Sequence, residues 1–212
     1  MMVLAIDTAG PNVALALGNR DSDPRACVTT ARLNHNEILD REVQALLSRE
    51  KGALNLIVVN AGPGSFTGTR VGVSYAVGLA QSLALPILPV SSYRVAAGLA
   101  PPGTDELHVA FSVVRDTWCC CRLIRCDGDW HEASECEVDG AQLDALTERG
   151  VVVIPWGDPR KGQPSPPDWN PAAILHKRAC DTPDESFLQP HEIHVRYLGP
   201  SQAERNFHAR SG

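Results

Sequence analysis

A two-lobed α/β fold, a mixed sheet flanked by helices followed by a reduced second lobe, is what this 212-residue chain predicts. Three observations carry the prediction. The first hundred residues alternate strand-like and helix-like segments in the order β-β-β-α-β-α-β-α. A glycine-rich turn, Gly62-Pro63-Gly64-Ser65-Phe66-Thr67-Gly68-Thr69-Arg70, joins an apolar strand to a helix. At Pro101-Pro102-Gly103 the texture changes, and beyond it the elements are shorter and the prolines denser.

Residues 2–6 are an unbroken apolar run, the pattern of a strand buried on both faces. Residues 13–17 form a second strand after the turn Asp7-Thr8-Ala9-Gly10-Pro11-Asn12, and residues 26–30 a third after Asp21-Ser22-Asp23-Pro24. Together they predict an antiparallel meander. Asn34 with Glu37 three residues on marks a helix start, and Ile38, Leu39, Val43, Leu46 and Leu47 lay an apolar stripe at helical spacing. Gly52 ends that helix before a strand at residues 54–59.

The next helix, residues 67–83, differs in kind. Val71, Val73, Tyr75, Ala76, Val77, Leu79, Ala80 and Leu83 leave it no clean polar face, so both sides need cover, from this chain or a partner. A strand at residues 86–90 and a helix capped by Ser91 or Ser92 and running through Ala97 complete a first lobe, residues 1–100. This is the element order of a ribonuclease H-like lobe. The second lobe, residues 101–212, predicts strands at 108–114, 117–125 and 151–154, helices at 141–149 and 172–179, and a closing strand at 193–197. The prolines from Pro155 to Pro171 predict an irregular strap. The last segment has a route back onto the first lobe, and the second half is short enough to be a worn copy of the first.

Apolar residues make up 43% and charged residues 21%, a globular balance. A net charge of -6 excludes recruitment of nucleic acid by a global basic surface, so any RNA contact is indirect. No basic segment precedes the first apolar run, which Asp7 interrupts, and no run reaches membrane-spanning length. A cytoplasmic protein without membrane attachment is expected. None of the seven cysteines forms a Cys-x-x-Cys pair, and Cys119-Cys120-Cys121 alternate faces along a strand. Reduced thiols, not a zinc site, are expected.

The glycine-rich turn admits two chemistries. Bare amides at a helix N-terminus suit an anion, whereas glycines without side chains suit close approach of two backbones. A Walker-type phosphate loop is excluded, because Gly64 and Gly68 are too closely spaced and Thr69-Arg70 follows where Lys-Ser/Thr is needed. A cradle of the actin and sugar-kinase type would use Asp7 and Thr8 with the hydroxyls of Ser65 and Thr67. Pro11 removes one backbone donor from that cradle, and an Asp bonding its own turn is the simpler reading. Weak nucleotide binding stays open; no cofactor is required. His191 and His194 lack the spacing of four that zinc hydrolases place on one helix face. Gly62-Pro63-Gly64-Ser65-Phe66 lacks the closing glycine of a nucleophile elbow, and Ser65 or Thr67 is more simply a cap. No catalytic constellation or metal site emerges. An enzyme hydrolysing ATP or transferring phosphate through Asp7, or a peptidase-like protein, are the alternatives. What remains is a surface: Gly64, Gly68 and Gly72 recur every four residues, and let either the chain's own first helix or a partner come close.

Leu4-Ala5-Ile6-Asp7-Thr8-Ala9, His35 ahead of Ile38-Leu39, and above all the run from Gly62 to Gly72 resemble the TsaB family, formerly YeaZ. Pro89-Val90-Ser91-Ser92 and Val195-Arg196-Tyr197-Leu198 fall where that family has similar segments. The resemblance is concentrated in residues 1–100. It implies a non-catalytic member of the actin-like ATPase superfamily, working with its paralogue TsaD and the ATPase TsaE. Together these make threonylcarbamoyladenosine beside the anticodon of tRNA. It also implies pairing with TsaD, or with a second copy when alone, through the first two helices. On this chain the implied interface is His35, Leu39, Val43, Gly64, Gly68, Arg70, Gly72, Val73 and Ala76. No second-lobe residue is carried over.

Overall fold

The computed structural model describes residues 1–10, 12–30, 35–50, 52–114, 117–149, 151, 153–156 and 170–197. Five strands form the first sheet: β1 (Met2–Asp7), β2 (Asn12–Asn19), β3 (Arg25–Thr30), β4 (Leu54–Asn60) and β5 (Ile87–Val90). Their order is β3-β2-β1-β4-β5. The meander β1-β2-β3 is antiparallel, and β1, β4 and β5 run parallel. β1 is buried along its whole length, and its side chains divide between two faces.

Leu4 and Ile6 of β1 pack with Leu39, Val43 and Leu46 of α1 (His35–Leu47) and Val73, Ala76 and Ala80 of α2 (Phe66–Leu83). Val3 and Ala5 face the other way, toward Val95 of α3 (Ser92–Ala96) and Ala172, Leu175 and Ala179 of α5 (Pro171–Asp181). α5 starts sharply because Asn170 Oδ1 accepts from Ala172 N at 2.8 Å and Pro171 fits the first turn.

The second sheet contains β6 (Glu106–Val114), β7 (Thr117–Cys126), β8 (Asp129–Asp139) and β9 (Val153–Trp156), in the order β8-β7-β6-β9. β6-β7-β8 is an antiparallel meander and β9 is parallel to β6, which repeats the layout of β1 to β4. One face packs Leu107, Val109, Cys121, Leu123 and Trp130 against Tyr93, Ala96 and Ala97. The other sets Ala110, Trp118 and Cys120 against Leu143 of α4 (Gly140–Glu148), a helix opened by a capping box between Asp139 and Gln142.

Four expectations need correction. β8 was not expected: apart from Trp130 it is largely polar and exposed, the composition of an edge strand rather than a core one. β9 begins two residues later than predicted and includes Pro155, which sits opposite Ala110 on the sheet's other edge, where a missing N–H costs nothing. Pro171 likewise opens a helix instead of prolonging an irregular strap. Residues 193–197 are not a strand. Ile193 and Val195 do pack on the α2 side of the core while His194 is exposed, but the segment lies along a helix and has no ladder to join. The cap predicted at Asn34 and the strap over residues 157–169 lie outside the described residues. Among the described residues, no helix is long and apolar enough to cross a membrane.

A set of ion pairs ties β8 to the first sheet's helices. Arg94 of α3 and Arg178 of α5 both reach Asp129. Arg196 pairs with Glu132 and Glu135, and Ser91 Oγ donates to Glu132.

Candidate functional site

The turn after β1 and the start of α2 meet at the C-terminal ends of β1 and β4. Asp7 closes β1 and is buried. Its Oδ1 accepts from Ala9 N at 3.0 Å and its Oδ2 from Asn60 Nδ2 at 2.6 Å. Burial pushes the Asp7 carboxyl above its ordinary value, against the lowering effect of the two hydrogen bonds from Asn60 and Ala9. Asn60 Oδ1 in turn accepts from Gly62 N at 3.0 Å and from Ser92 Oγ at 2.7 Å. Asp7 is thus the end of a closed internal network, with no open face toward solvent.

The glycines make close contacts, and the partner is the chain's own first turn. A Cβ at Gly64 would lie 2.7 Å from Ala9 O, one at Gly68 2.1 Å from Thr8 O, and one at Gly72 2.2 Å from Thr8 Oγ1. Thr8 Oγ1 donates to Gly68 O at 2.7 Å, and Ser65 N donates to Ala9 O at 2.8 Å. Gly62 has φ +95°, and a Cβ there would stand 2.4 Å from Arg196 O, so only glycine fits on both counts. Arg196 N donates to Ala61 O at 2.8 Å, which lays residues 190–197 along the entry to α2.

An anion at the start of α2 needs free amides. Here Ser65 N is used by Ala9 O, Gly68 N by Ser65 Oγ at 3.2 Å, and Thr69 N by Ser65 O at 2.8 Å. The carbonyls of Ala9 and Thr8 lie against Gly64 and Gly68 at this helix start. Asp7 and Thr8 face inward, Ser65 is the helix cap, and Thr67 is exposed. Among the described residues no cluster of His, Cys, Asp or Glu has the arrangement to hold a metal ion, and His191 and His194 are exposed.

Of the residues assigned to the interface, Leu39, Val43, Gly68, Gly72, Val73 and Ala76 are buried within this chain, Gly64 is half-buried and His35 opens α1. Arg70 is exposed, and it organises a cluster that the sequence did not reveal. Its guanidinium lies 3.7 Å from the ring centroid of Phe66 and 5.1 Å from that of Tyr197, and its Nε donates to Tyr197 Oη at 2.7 Å. Phe66 is 45% exposed and Tyr197 42%, unusual for large rings. Among the described residues Arg70 has no carboxylate partner. Beyond this cluster the outward side of α2 offers Ser74 and Gly78, and α1 is joined to α2 by Tyr75 Oη donating to Asp40 at 3.1 Å. The all-round apolarity of α2 is met in part by this chain: α1 on one side, Ile193 and Val195 on another.

Similarity to known proteins includes α2. A sequence profile described as TsaD: tRNA N6-adenosine threonylcarbamoyltransferase matches residues 29–111. The chain is 40% identical over 100 residues to the tRNA threonylcarbamoyladenosine biosynthesis protein TsaB of Bacillus subtilis (strain 168), covering 46% of this chain and 44% of that protein. To the protein of the same name from Escherichia coli (strain K12) it is 36% identical over 100 residues, covering 46% and 43%. These matches span less than half the length of the curated relatives. At the level of fold the likeness is wider. A solved structure described as an uncharacterized protein with similarity to peptidase YEAZ from Pseudomonas aeruginosa superposes with a TM-score of 0.73 at 19% identity, covering 93% of this chain and 99% of that one. The structure described as YeaZ from Pseudomonas aeruginosa gives 0.71 at 18%, covering 92% and 100%. The fold is the mixed α/β one that the element order predicts, with helices against a mixed sheet, and these two structures share it. In sequence the chain is thus similar to TsaB proteins over about half its length, and it shares the fold of the YeaZ structure over nearly all of it.

Proposed function

We propose that this chain is a non-catalytic partner of TsaD in the transfer of the threonylcarbamoyl group to the adenosine beside the anticodon of tRNA. One observation carries the reading: Asp7 and Thr8 of the first turn are bonded inward, to Asn60, Ala9 and Gly68, while Arg70, Phe66 and Tyr197 stand exposed. A carboxylate sealed in this way is not positioned to hold a metal or activate water, which argues for binding over chemistry. Arginine and tyrosine are the side chains that most often dominate protein interfaces.

In this reading the chain holds TsaD in its transfer-competent conformation and contributes no reacting group. The buried residues Leu39, Val43, Gly68, Gly72, Val73 and Ala76 set the shape of the face from beneath, and Arg70 and its two rings present it. A second copy takes the same face when TsaD is absent. TsaE joins through the assembly, and the net charge of -6 leaves tRNA contact to the partners. The site of action is the cytoplasm. Sedimentation of the chain with TsaD tests the reading. The wild type forms a complex, and Arg70→Glu, with an unchanged circular-dichroism spectrum, weakens it at least about tenfold, equivalent to about 1.4 kcal/mol. Undiminished affinity in that variant overturns this face as the contact.

A further inference from the structure

Two cysteines face each other across the second sheet. Cys120 of β7 and Cys136 of β8 are directly opposed in the antiparallel register. Opposed residues on antiparallel strands point to the same face, with Cα atoms about 4.5–5.5 Å apart. That separation lies inside the window of about 4.4–6.8 Å that a disulfide accepts. Both are free thiols here. They differ in access: Cys136 is exposed, whereas Cys120 is buried between Ala110, Trp118 and Leu143. On the same side His108 of β6 brings Nδ1 to 3.5 Å from Cys120 Sγ. Neighbouring Cys119 and Cys121 point to the opposite face, where Cys121 packs among Leu107, Leu123 and Trp130.

We propose that Cys120 and Cys136 form a reversible redox pair, with Cys136 meeting the oxidant and Cys120 closing the disulfide. The oxidant is hydrogen peroxide. The Cys136 thiolate attacks one peroxide oxygen; an S–O bond forms, the O–O bond breaks, and the leaving hydroxide takes up the thiol proton as water. Cys120 then gives its proton to His108 Nδ1 and attacks Cys136 Sγ. The S–S bond forms, the S–O bond breaks, and hydroxide leaves as a second water with the proton from His108. Two thiols lose two electrons and two protons, and one peroxide becomes two waters.

The division of roles follows from burial. Desolvation pushes the Cys120 thiol up to about 12, so on its own it is unreactive toward an oxidant in solution. Burial likewise holds His108 below its ordinary value, so the imidazole is neutral and able to take the proton. Closure fastens the outermost strand of the second sheet to its neighbour, and that strand carries Asp129, Glu132 and Glu135, the acids that hold Arg94, Arg178 and Arg196. The pair therefore sets how firmly the acidic edge is anchored.

The test uses the full chain, fully reduced, treated with one equivalent of hydrogen peroxide, alkylated, and digested without reductant. The expected product is a peptide pair linked through Cys120 and Cys136, two hydrogens lighter than its parts and released by dithiothreitol. Fragmentation of the linked peptide in the wild type assigns the sulfur among the three adjacent cysteines without any substitution. The link persists in Cys119→Ala, Cys121→Ala and Cys126→Ser and is lost in Cys136→Ser. Cys136 recovered as an alkylated thiol, or as sulfinic acid without a link, overturns the proposal. So does a link that fragmentation assigns to a sulfur other than Cys120.

Discussion

Two polar assemblies hold this molecule together, and they work by opposite means. The first joins Asp7, Asn60, Ser92 and Gly62, with Thr8 bonded to Gly68; it is buried and its bonds are short-range and neutral in part. The second joins Asp129, Glu132 and Glu135 of β8 to Arg94, Arg178 and Arg196 at a partly exposed seam. Water and salt barely reach the first, whereas ions screen the second. The contrast teaches that the turn under α2 is fixed by shape, with no room for a methyl group. The hold on the second sheet's edge is fixed by charge and is adjustable.

The largest effect that sharpens the contrast is expected at Gly68. Gly68→Ala places a methyl on Thr8 O and costs about 3 kcal/mol or more, a clash of the kind that exceeds ordinary substitutions. Urea unfolding measures it, and a loss below about 1 kcal/mol would mean that the turn is less rigid than described. For the same reason Gly72 and Val73 are unsuitable places to probe binding with bulky or charged side chains, since both are buried.

Next comes the seam. Arg196→Ala removes both glutamate contacts from a side chain that is 40% exposed, so the cost is on the order of 1 kcal/mol and shrinks as salt is raised. The same salt series leaves the cost of Gly68→Ala unchanged. Equal salt dependence for the two variants would erase the distinction between the assemblies.

Asp7 gives a pH-dependent test. Its folded-state pKa is raised above the ordinary 3.8, so its contribution to stability is full below 3.8 and is lost as pH rises through the folded value. Asp7→Asn has no such titration. Unfolding midpoints measured at several pH values are expected to shift in favour of the variant as pH rises through that window. Parallel profiles would show that Asp7 is better solvated than its burial implies. The smallest effect is at Gly78, which has nothing within 4 Å of an added Cβ. Gly78→Ala stabilises by up to about 1 kcal/mol through helix propensity, and a cost instead would mean that this outward position is already in contact.

The same contrast explains what the sequence could reveal. β1 holds an unbroken apolar run over residues 2–6, β4 one over residues 56–59, and α1 carries a clean stripe, so local composition reported their burial, and the spacing of Gly64, Gly68 and Gly72 reported a close backbone approach. It did not report the partner, because Thr8 and Ala9 are distant in sequence and carry no matching signal. β8 was silent for a physical reason: its hold depends on arginines on α3, α5 and the last described segment, which no local window contains. The same holds for the exposed cluster, where Tyr197 returns to Phe66 and Arg70 from the far end of the chain. The end of α2 carried no glycine either; Ala84 closes it at φ 53°.

The central claim, binding without chemistry, is tested most directly by mass spectrometry of tRNA nucleosides. The reaction contains TsaD, TsaE and the adenylate-forming enzyme, with no further addition, with the wild-type chain, or with Asp7→Asn. Threonylcarbamoyladenosine is expected only when the chain is present, and in equal amount with the Asp7→Asn variant. Equal product without the chain would contradict the accessory role, and product lost with a folded Asp7→Asn would contradict the absence of chemistry at Asp7.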